Sequence, residues 1–232
     1  PYLFYEEKIN EFIRPSHTVL EIGSGTGLHT YCLIKTGAYV TATDISPNSL
    51  NVIKKNLSTV EGGGRLKTVV VDMEQLPFEN ESFYVVTSAG SLSYGTAKKV
   101  DSEIRRVIKP DGLFICVDSL NNNPVYRLNR YIHYIKKKRS KMTLLNMPTI
   151  QRISAFNLNY SKIEVKYFGS ISFIMPILSK VFGVNIAADL SNYIDRIFRI
   201  NKSAFKFVLI AQAWFWINKL VLTCFPKNIL QE

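Results

Sequence analysis

The segment Val19-Leu20-Glu21-Ile22-Gly23-Ser24-Gly25-Thr26-Gly27 constrains this chain more than any other. Thr18–Ile22 reads as a buried strand, Gly23–Gly27 as a tight turn, and Leu28–Lys35 as a helix ended by Gly37. Glycine has no Cβ, so the backbone there can turn sharply and approach a ligand closely. A strand, a glycine turn and a helix in succession begin a layered α/β domain with its ligand at the carboxyl end of a strand. A dinucleotide fingerprint G-x-G-x-x-G would place its third glycine at position 28, where Leu28 stands. The pattern is instead E-x-G-x-G-x-G.

The alternation continues. Tyr39–Thr43 reads as a strand, and Ser46-Pro47 as a helix start with serine as N-cap and proline at the first helical position, the helix running to about Leu57. Leu66–Val71 and Tyr84–Ser88 are further strands. Val100, Ile104, Val107 and Ile108 give Thr96–Ile108 helical spacing, and the turn Lys109-Pro110-Asp111-Gly112 precedes the strand Leu113–Val117. The expected fold is α/β: a mostly parallel, doubly wound sheet of seven strands with right-handed crossovers.

Beyond Asp118 the pattern loosens. Residues 119–160 are polar, basic and expected to be mostly helical, an insert after the fifth strand. Ile163–Phe168 alternates like a strand, Ile174–Phe182 and Leu190–Phe198 have helical spacing, and Phe205–Ala211 is an apolar strand. One domain over 1–232 is expected: a core at 15–118, the basic insert at 119–160, closing strands and helices at 161–212 and an apolar tail at 213–232. The apolar run Phe207–Phe225 is interrupted by Gln212, Asn218 and Lys219, so a terminal strand and a short helix are expected rather than a membrane span. A tail lying on a membrane surface is the alternative kept. The chain begins at Pro1 rather than Met, which leaves a preceding segment open.

Polar and small residues recur at successive strand ends. Asp44 follows the second strand, where a carboxylate can accept both hydroxyls of a ribose. Asp72 and Met73 follow the third, a polar and an apolar side chain able to bracket a base. Ser88-Ala89-Gly90 follows the fourth, where small residues leave a ligand room. VLEIGSGTG, ATDIS, VVDMEQLPFENESFYVV and the IKPDG turn together resemble the class I S-adenosylmethionine-dependent methyltransferases, over about residues 15–118. The resemblance implies a Rossmann-like methyltransferase fold with S-adenosyl-L-methionine as cofactor, which lacks the pyrophosphate that a dinucleotide presents to a helix N-terminus. It also implies that Glu21, Gly23, Gly25 and Gly27 shape the methionine side, that Asp44 holds the ribose, that Asp72 and Met73 hold the adenine, and that Ala89 and Gly90 line the floor. Ser24 belongs to the cofactor loop or serves only its turn, as does Thr26. Ile45 packs on adenine or on the core.

Methyl transfer from a sulfonium needs alignment and desolvation, and an alcohol acceptor also needs a base. The acceptor is expected beyond the fourth and fifth strands, near Ser91, Ser93 and Tyr94, and near Asp118 and Asn121 to Asn123. His133 is the first base candidate and Asp118 its rival. His17 precedes the first strand at the wrong end of the sheet, and His29 opens a helix where it touches ligand or only the helix surface. Tyr94, Asn121, Arg127, Arg130 and Tyr134 are the expected substrate contacts. No metal site is expected, since Cys32, Cys116 and Cys224 are scattered without ligand spacing. The same cysteine usage fits a reducing cytoplasm.

The net charge of +11 is unevenly spread. Residues 1–118 hold 12 Lys/Arg and 14 Asp/Glu, whereas residues 119–163 hold nine Lys/Arg and no acid. An acid-free basic stretch points to an anionic partner, with a solvated helix face as the plain alternative. SAGSLSYG and VDSLNNNPVYRLNRYIHY resemble methyltransferases of bacterial surface-polysaccharide biosynthesis. That resemblance implies a sugar acceptor on a nucleotide or lipid carrier; with the cofactor motifs and the basic insert, O-methylation of that sugar is the leading reading, in the cytoplasm, with a peripheral position at the inner membrane face kept as an alternative. An RNA methyltransferase is the competing reading of the basic stretch, but no [ND]PP[YF] motif or RNA-binding module accompanies it. A quinone or lipid methyltransferase and an inactive cofactor-binding module complete the alternatives; the oligomeric state is left open.

Overall fold

A computed structural model of the chain describes residues 1–57, 59–60, 63–171, 174–198 and 203–214. The short apolar runs of the first half pair side by side. Strands β1 (Thr18–Ile22), β2 (Tyr39–Asp44), β3 (Leu66–Val70), β4 (Phe83–Ala89) and β5 (Ile108–Ser119) are mutually parallel. They are linked through helices α2 (Thr30–Lys35), α3 (Pro47–Leu57) and α4 (Ala97–Val107), and by a loop between β3 and β4. Two later strands, β6 (Lys162–Phe168) and β7 (Lys206–Gln212), complete a seven-stranded sheet of order β3-β2-β1-β4-β5-β7-β6. β7 runs antiparallel to both of its neighbours. The order reverses between β1 and β4, and open α/β sheets bind ligands outside the carboxyl ends of the strands at that point.

Alternation along each strand divides the core into two. On one face Leu20, Ile22, Val86, Phe114, Cys116 and Leu209 pack with Val100, Ile104 and Val107 of α4 and with Ile153 and Phe156 of α7 (Ile150–Phe156). On the other, Val19, Val40, Val85, Ile115 and Val208 pack with Leu33 and Ile34 of α2 and Leu50 and Ile53 of α3. That face also takes Tyr5 and Ile9 from α1 (Tyr2–Phe12), a helix the sequence pattern did not announce.

Several boundaries move for local reasons. The helix expected from Leu28 starts at Thr30, because Gly27, at φ +91, continues the glycine turn. The Lys109–Gly112 turn lies inside β5 as an irregularity: Phe83 pairs with Ile108 and Val85 with Leu113, while Asp111 takes φ +61. The expected α3 start holds, with the Ser46 hydroxyl accepting the Ser49 N–H at 3.3 Å. The insert folds into α5 (Pro124–Ile135), α6 (Lys141–Leu145) and α7. α8 (Met175–Phe182) is separated from α9 (Val184–Phe198) by Gly183 at φ +83, so α9 begins earlier than Leu190. Of the apolar tail, residues 215–232, with Cys224, lie outside the described residues. No helix among the described residues is long and apolar enough to cross a membrane.

Candidate functional site

At the switch between β1 and β4 lies a cavity of about 530 Å³, a size ordinary for a small-molecule site. Gly23, Gly25, Asp44, Ile45, Asp72, Met73, Ala89 and Gly90 all line it, gathered from the carboxyl ends of four strands. Thr43, Val71, Ser91 and Tyr94 complete the wall.

The loop is held by a few hydrogen bonds. Ser24 N–H and its hydroxyl both donate to the Thr43 carbonyl, at 2.8 and 3.1 Å, so Ser24 is buried in the turn. The Gly25 N–H donates to Asp44 Oδ2 at 2.9 Å, and the Ser46 N–H to Asp44 Oδ1 at 2.8 Å. Each carboxylate oxygen keeps a further lone pair, so Asp44 is fixed and still able to accept from a ligand. Gly23, at φ +64, packs so closely that a Cβ would stand 2.4 Å from that of Ser91. Gly25, at φ +54, has nothing within 4 Å of that position, leaving bare backbone towards the cavity. Gly27 faces away: a Cβ there would meet Ile53 of α3 at 2.8 Å.

Ile45 settles against the cavity rather than the core, being 69 % exposed. Asp72 turns one oxygen back to accept the Glu74 N–H at 2.9 Å and remains exposed. Glu74 secures the opposite rim by accepting from Thr96 N–H and Lys99 Nζ at 2.6 and 2.9 Å. The Thr96 N–H and the lysine hold its carboxyl at about 2. Ser91 donates to the Ile22 carbonyl at 2.9 Å and pairs with Ser88 at 2.7 Å, tying the ends of β1 and β4 together.

Other expected site residues stand outside this cavity. Glu21 is buried beneath the loop, accepting the Thr30 hydroxyl at 2.5 Å, and burial pushes its carboxyl up to about 8. His29 is packed under α1, stacked on Tyr2 at 5.1 Å and edge-on to Tyr5 at 5.5 Å, with burial lowering its pKa. His17 lies against Tyr84, at 4.2 Å between ring centroids.

Neither base candidate lines this cavity. Asp118 is 2 % exposed, and its two oxygens accept the N–H groups of Leu92 and Ser119 at 2.9 and 2.6 Å. It organises the loop after β4 and does not face the cavity, and burial raises its pKa. His133 lies in the last turn of α5 and lines a different, smaller cavity with Arg130. The expected acceptor contacts divide similarly. Tyr94 joins the cofactor-side cavity; Asn121 and Arg127 line a third hollow, of about 570 Å³, with Leu128, Tyr131 and Leu145. Tyr134 packs beside Tyr131 at 6.1 Å and lines none of the three.

Sequence reasoning missed Arg152. Its guanidinium grips Asp101 of α4 at 2.6 and 3.1 Å and donates to the Leu92 carbonyl at 3.3 Å, joining α7 to the loop after β4. Only its place in the acid-free stretch marked it.

Helix α5 is inverted. Its apolar Leu128 and Ile135 are each 61 % exposed, whereas Arg130 is 5 % exposed. No cluster of metal-ligating side chains exists among the described residues.

Residues 20–116 match the family described as "Methyltransferase domain". A sterol 4-C-methyltransferase of Caenorhabditis elegans is 34% identical over 116 residues, covering 50% of this chain and 34% of that protein. A demethylmenaquinone methyltransferase of Clavibacter sepedonicus is 35% identical over 111 residues, covering 47% of this chain and 44% of that protein. The chain thus spans less than half the length of these two relatives. Among solved structures, geranyl diphosphate C-methyltransferase from Streptomyces coelicolor A3(2), in complex with Mg2+, geranyl diphosphate and S-adenosyl-L-homocysteine, is similar at TM-score 0.62 and 16% identity. That match covers 91% of this chain and 79% of that one, a likeness of fold.

Proposed function

We propose that this chain carries a class I S-adenosylmethionine-dependent methyltransferase domain, which the match of residues 20–116 supports, and that it methylates a phosphate-linked acceptor: an oxygen of a sugar in a nucleotide-linked or lipid-linked glycan. The cavity at the switch point fits the cofactor by its donor set. Bare glycine backbone at Gly25, a fixed carboxylate at Asp44 and the apolar Ile45 and Met73 answer an aminoacyl chain, a ribose and a base. When bound, S-adenosylmethionine supplies a sulfonium methyl for in-line displacement. The protein then contributes alignment and exclusion of water. Ser91 and Tyr94 border the side from which an acceptor enters.

The observation that carries the acceptor reading is the inverted α5, with apolar residues turned out, an arginine turned in, and Lys136 to Arg139 following. Amphipathic surfaces of this kind suit an amphiphile with an anionic head, met at a membrane edge. We place the chain in the cytoplasm, peripheral at the inner membrane face. A second reading, carbon methylation of a quinone or other lipid, is favoured by the names of the relatives and by the same exposed apolar face.

Incubation with methyl-labelled S-adenosylmethionine decides between them. Nucleotide sugars and polyprenyl-phosphate-linked saccharides are offered beside demethylated quinones. Label in the sugar supports the first reading, label in the quinone ring replaces it with the second, and no transfer to either overturns both.

A further inference from the structure

The residue that α5 buries is an arginine. Arg130 Nη1 donates to the Leu120 carbonyl at 2.9 Å and to Asn121 Oδ1 at 3.2 Å. Nη2 is buried and has no hydrogen-bond partner among the described residues. The rings of Tyr126 and Phe205 flank the guanidinium, their centroids 6.0 and 5.8 Å away. No carboxylate among the described residues forms an ion pair with it. Burying a guanidinium without a paired carboxylate is costly, and a second cation makes it worse, while the charge of Asp118 offsets part of the cost. Burial, and after it the charge of Arg139, lower the Arg130 pKa to about 10 against the opposing pull of Asp118. The group stays protonated at neutral pH.

Arg130 opens on a cavity of about 120 Å³, shared with Ser119, Asn129, His133 and Arg139. Its lining has no residue in common with the cofactor-side cavity. Ser119 lies at the carboxyl end of β5, two residues beyond Val117, whose carbonyl accepts the Gly90 N–H at 2.8 Å. The hollow therefore opens on the same edge of the sheet as the cofactor side. A water molecule takes roughly 30 Å³ of liquid, so the space has room for a small oxyanion. A guanidinium fork with an idle N–H, a neighbouring arginine, an imidazole, an amide and a hydroxyl form a donor set for a tetrahedral oxyanion.

We propose that this cavity binds a phosphoryl group of the acceptor, with Arg130 and Arg139 as its anchoring cations. The proposal rests on the reading of the acceptor as phosphate-linked. It makes the insert a specificity element that holds the acceptor by its phosphate while the methylated atom lies beyond β4.

The test uses the full chain and inorganic phosphate, titrated by calorimetry at constant ionic strength, with S-adenosylhomocysteine titrated into the same samples. Phosphate should bind the wild type. Arg139→Gln and Arg130→Lys should weaken it roughly tenfold, and Lys54→Gln, on α3, should leave it unchanged. Retained S-adenosylhomocysteine affinity shows that the variants are folded, and Arg139→Gln, a change at an exposed position, keeps the test sound if Arg130→Lys does not fold. Phosphate that fails to bind, or binds Arg139→Gln as tightly as wild type, overturns the subsite while leaving the cofactor reading intact. Failure of the wild type to bind S-adenosylhomocysteine overturns the underlying reading instead. Uridine diphosphate and phosphatidylcholine vesicles with and without phosphatidate separate the sources. Arg139-dependent binding to either upholds the subsite and assigns its phosphate to a nucleotide or to a lipid.

Discussion

The Asp118 carboxylate accepts the backbone N–H of Leu92 at 2.9 Å, so the end of β5 fixes the loop that follows β4. Ser91 and Tyr94, on either side of that contact, line the cofactor-side cavity. This contact assigns Asp118 the part of a positioning residue in the account that the following variant tests.

Its substitution distinguishes this role from that of a base. Asp118→Ala leaves the buried Leu92 N–H without an acceptor, which costs about 1–3 kcal/mol, and frees the part-buried Ser119 N–H at a smaller cost. Cofactor KM should rise with kcat reduced only modestly, and the pH dependence of kcat should keep its shape. Steady-state kinetics across pH check this. Loss of kcat with unchanged KM would restore the base role.

Glu21 makes stability depend on pH. Burial opposes the charged form and pushes its carboxyl in the folded chain up from the ordinary 4.5 to about 8. Below 4.5 both states carry the proton. Between the two values the unfolded chain releases it and the folded chain keeps it, so stability falls as pH rises, by up to about 1.4 kcal/mol per unit. Above about 8 this contribution flattens. Glu21→Gln should remove that slope, as urea midpoints at pH 5, 6.5 and 8 (about one measurement per stage of the titration) would show.

The glycines of the loop should separate by space. Gly23→Ala combines a left-handed φ with a 2.4 Å approach to Ser91, and should cost roughly 2–5 kcal/mol. Gly25→Ala meets only the φ penalty, about 1–2 kcal/mol, in open space. Thermal unfolding of the free proteins should rank them in that order.

Arg152 clamps the insert to the core. Its paired contacts with Asp101 are mostly shielded from solvent, so Arg152→Ala should cost roughly 1–3 kcal/mol. Lysine carries the charge without the fork and should restore less than half of that loss. Proteolysis within 136–141 should quicken in both variants.

How much of this could be read from sequence follows from where the signal is local. β1 to β5 announce themselves through short apolar runs and turn residues, and Gly23, Gly25, Asp44 and Ala89 through their order at strand ends. What stayed hidden depends on long-range packing. α1 has weak amphipathic spacing, yet Tyr5 and Ile9 seal a core face once β5 is in place. Asp118 reads as an available carboxylate until Leu92, distant in sequence, occupies it. Arg130 lies in a run of basic residues, and no sequence pattern separates the one arginine that is buried from those in water.

The central claim, that S-adenosylmethionine binds between the Gly23–Gly27 turn and Asp44, is tested most directly by calorimetric titration of S-adenosylhomocysteine into wild type and Asp44→Ala. The account predicts binding at a single site, weakened roughly tenfold or more in the variant as its charged acceptor is lost. No binding to the wild type, or equal binding to both proteins, would contradict it.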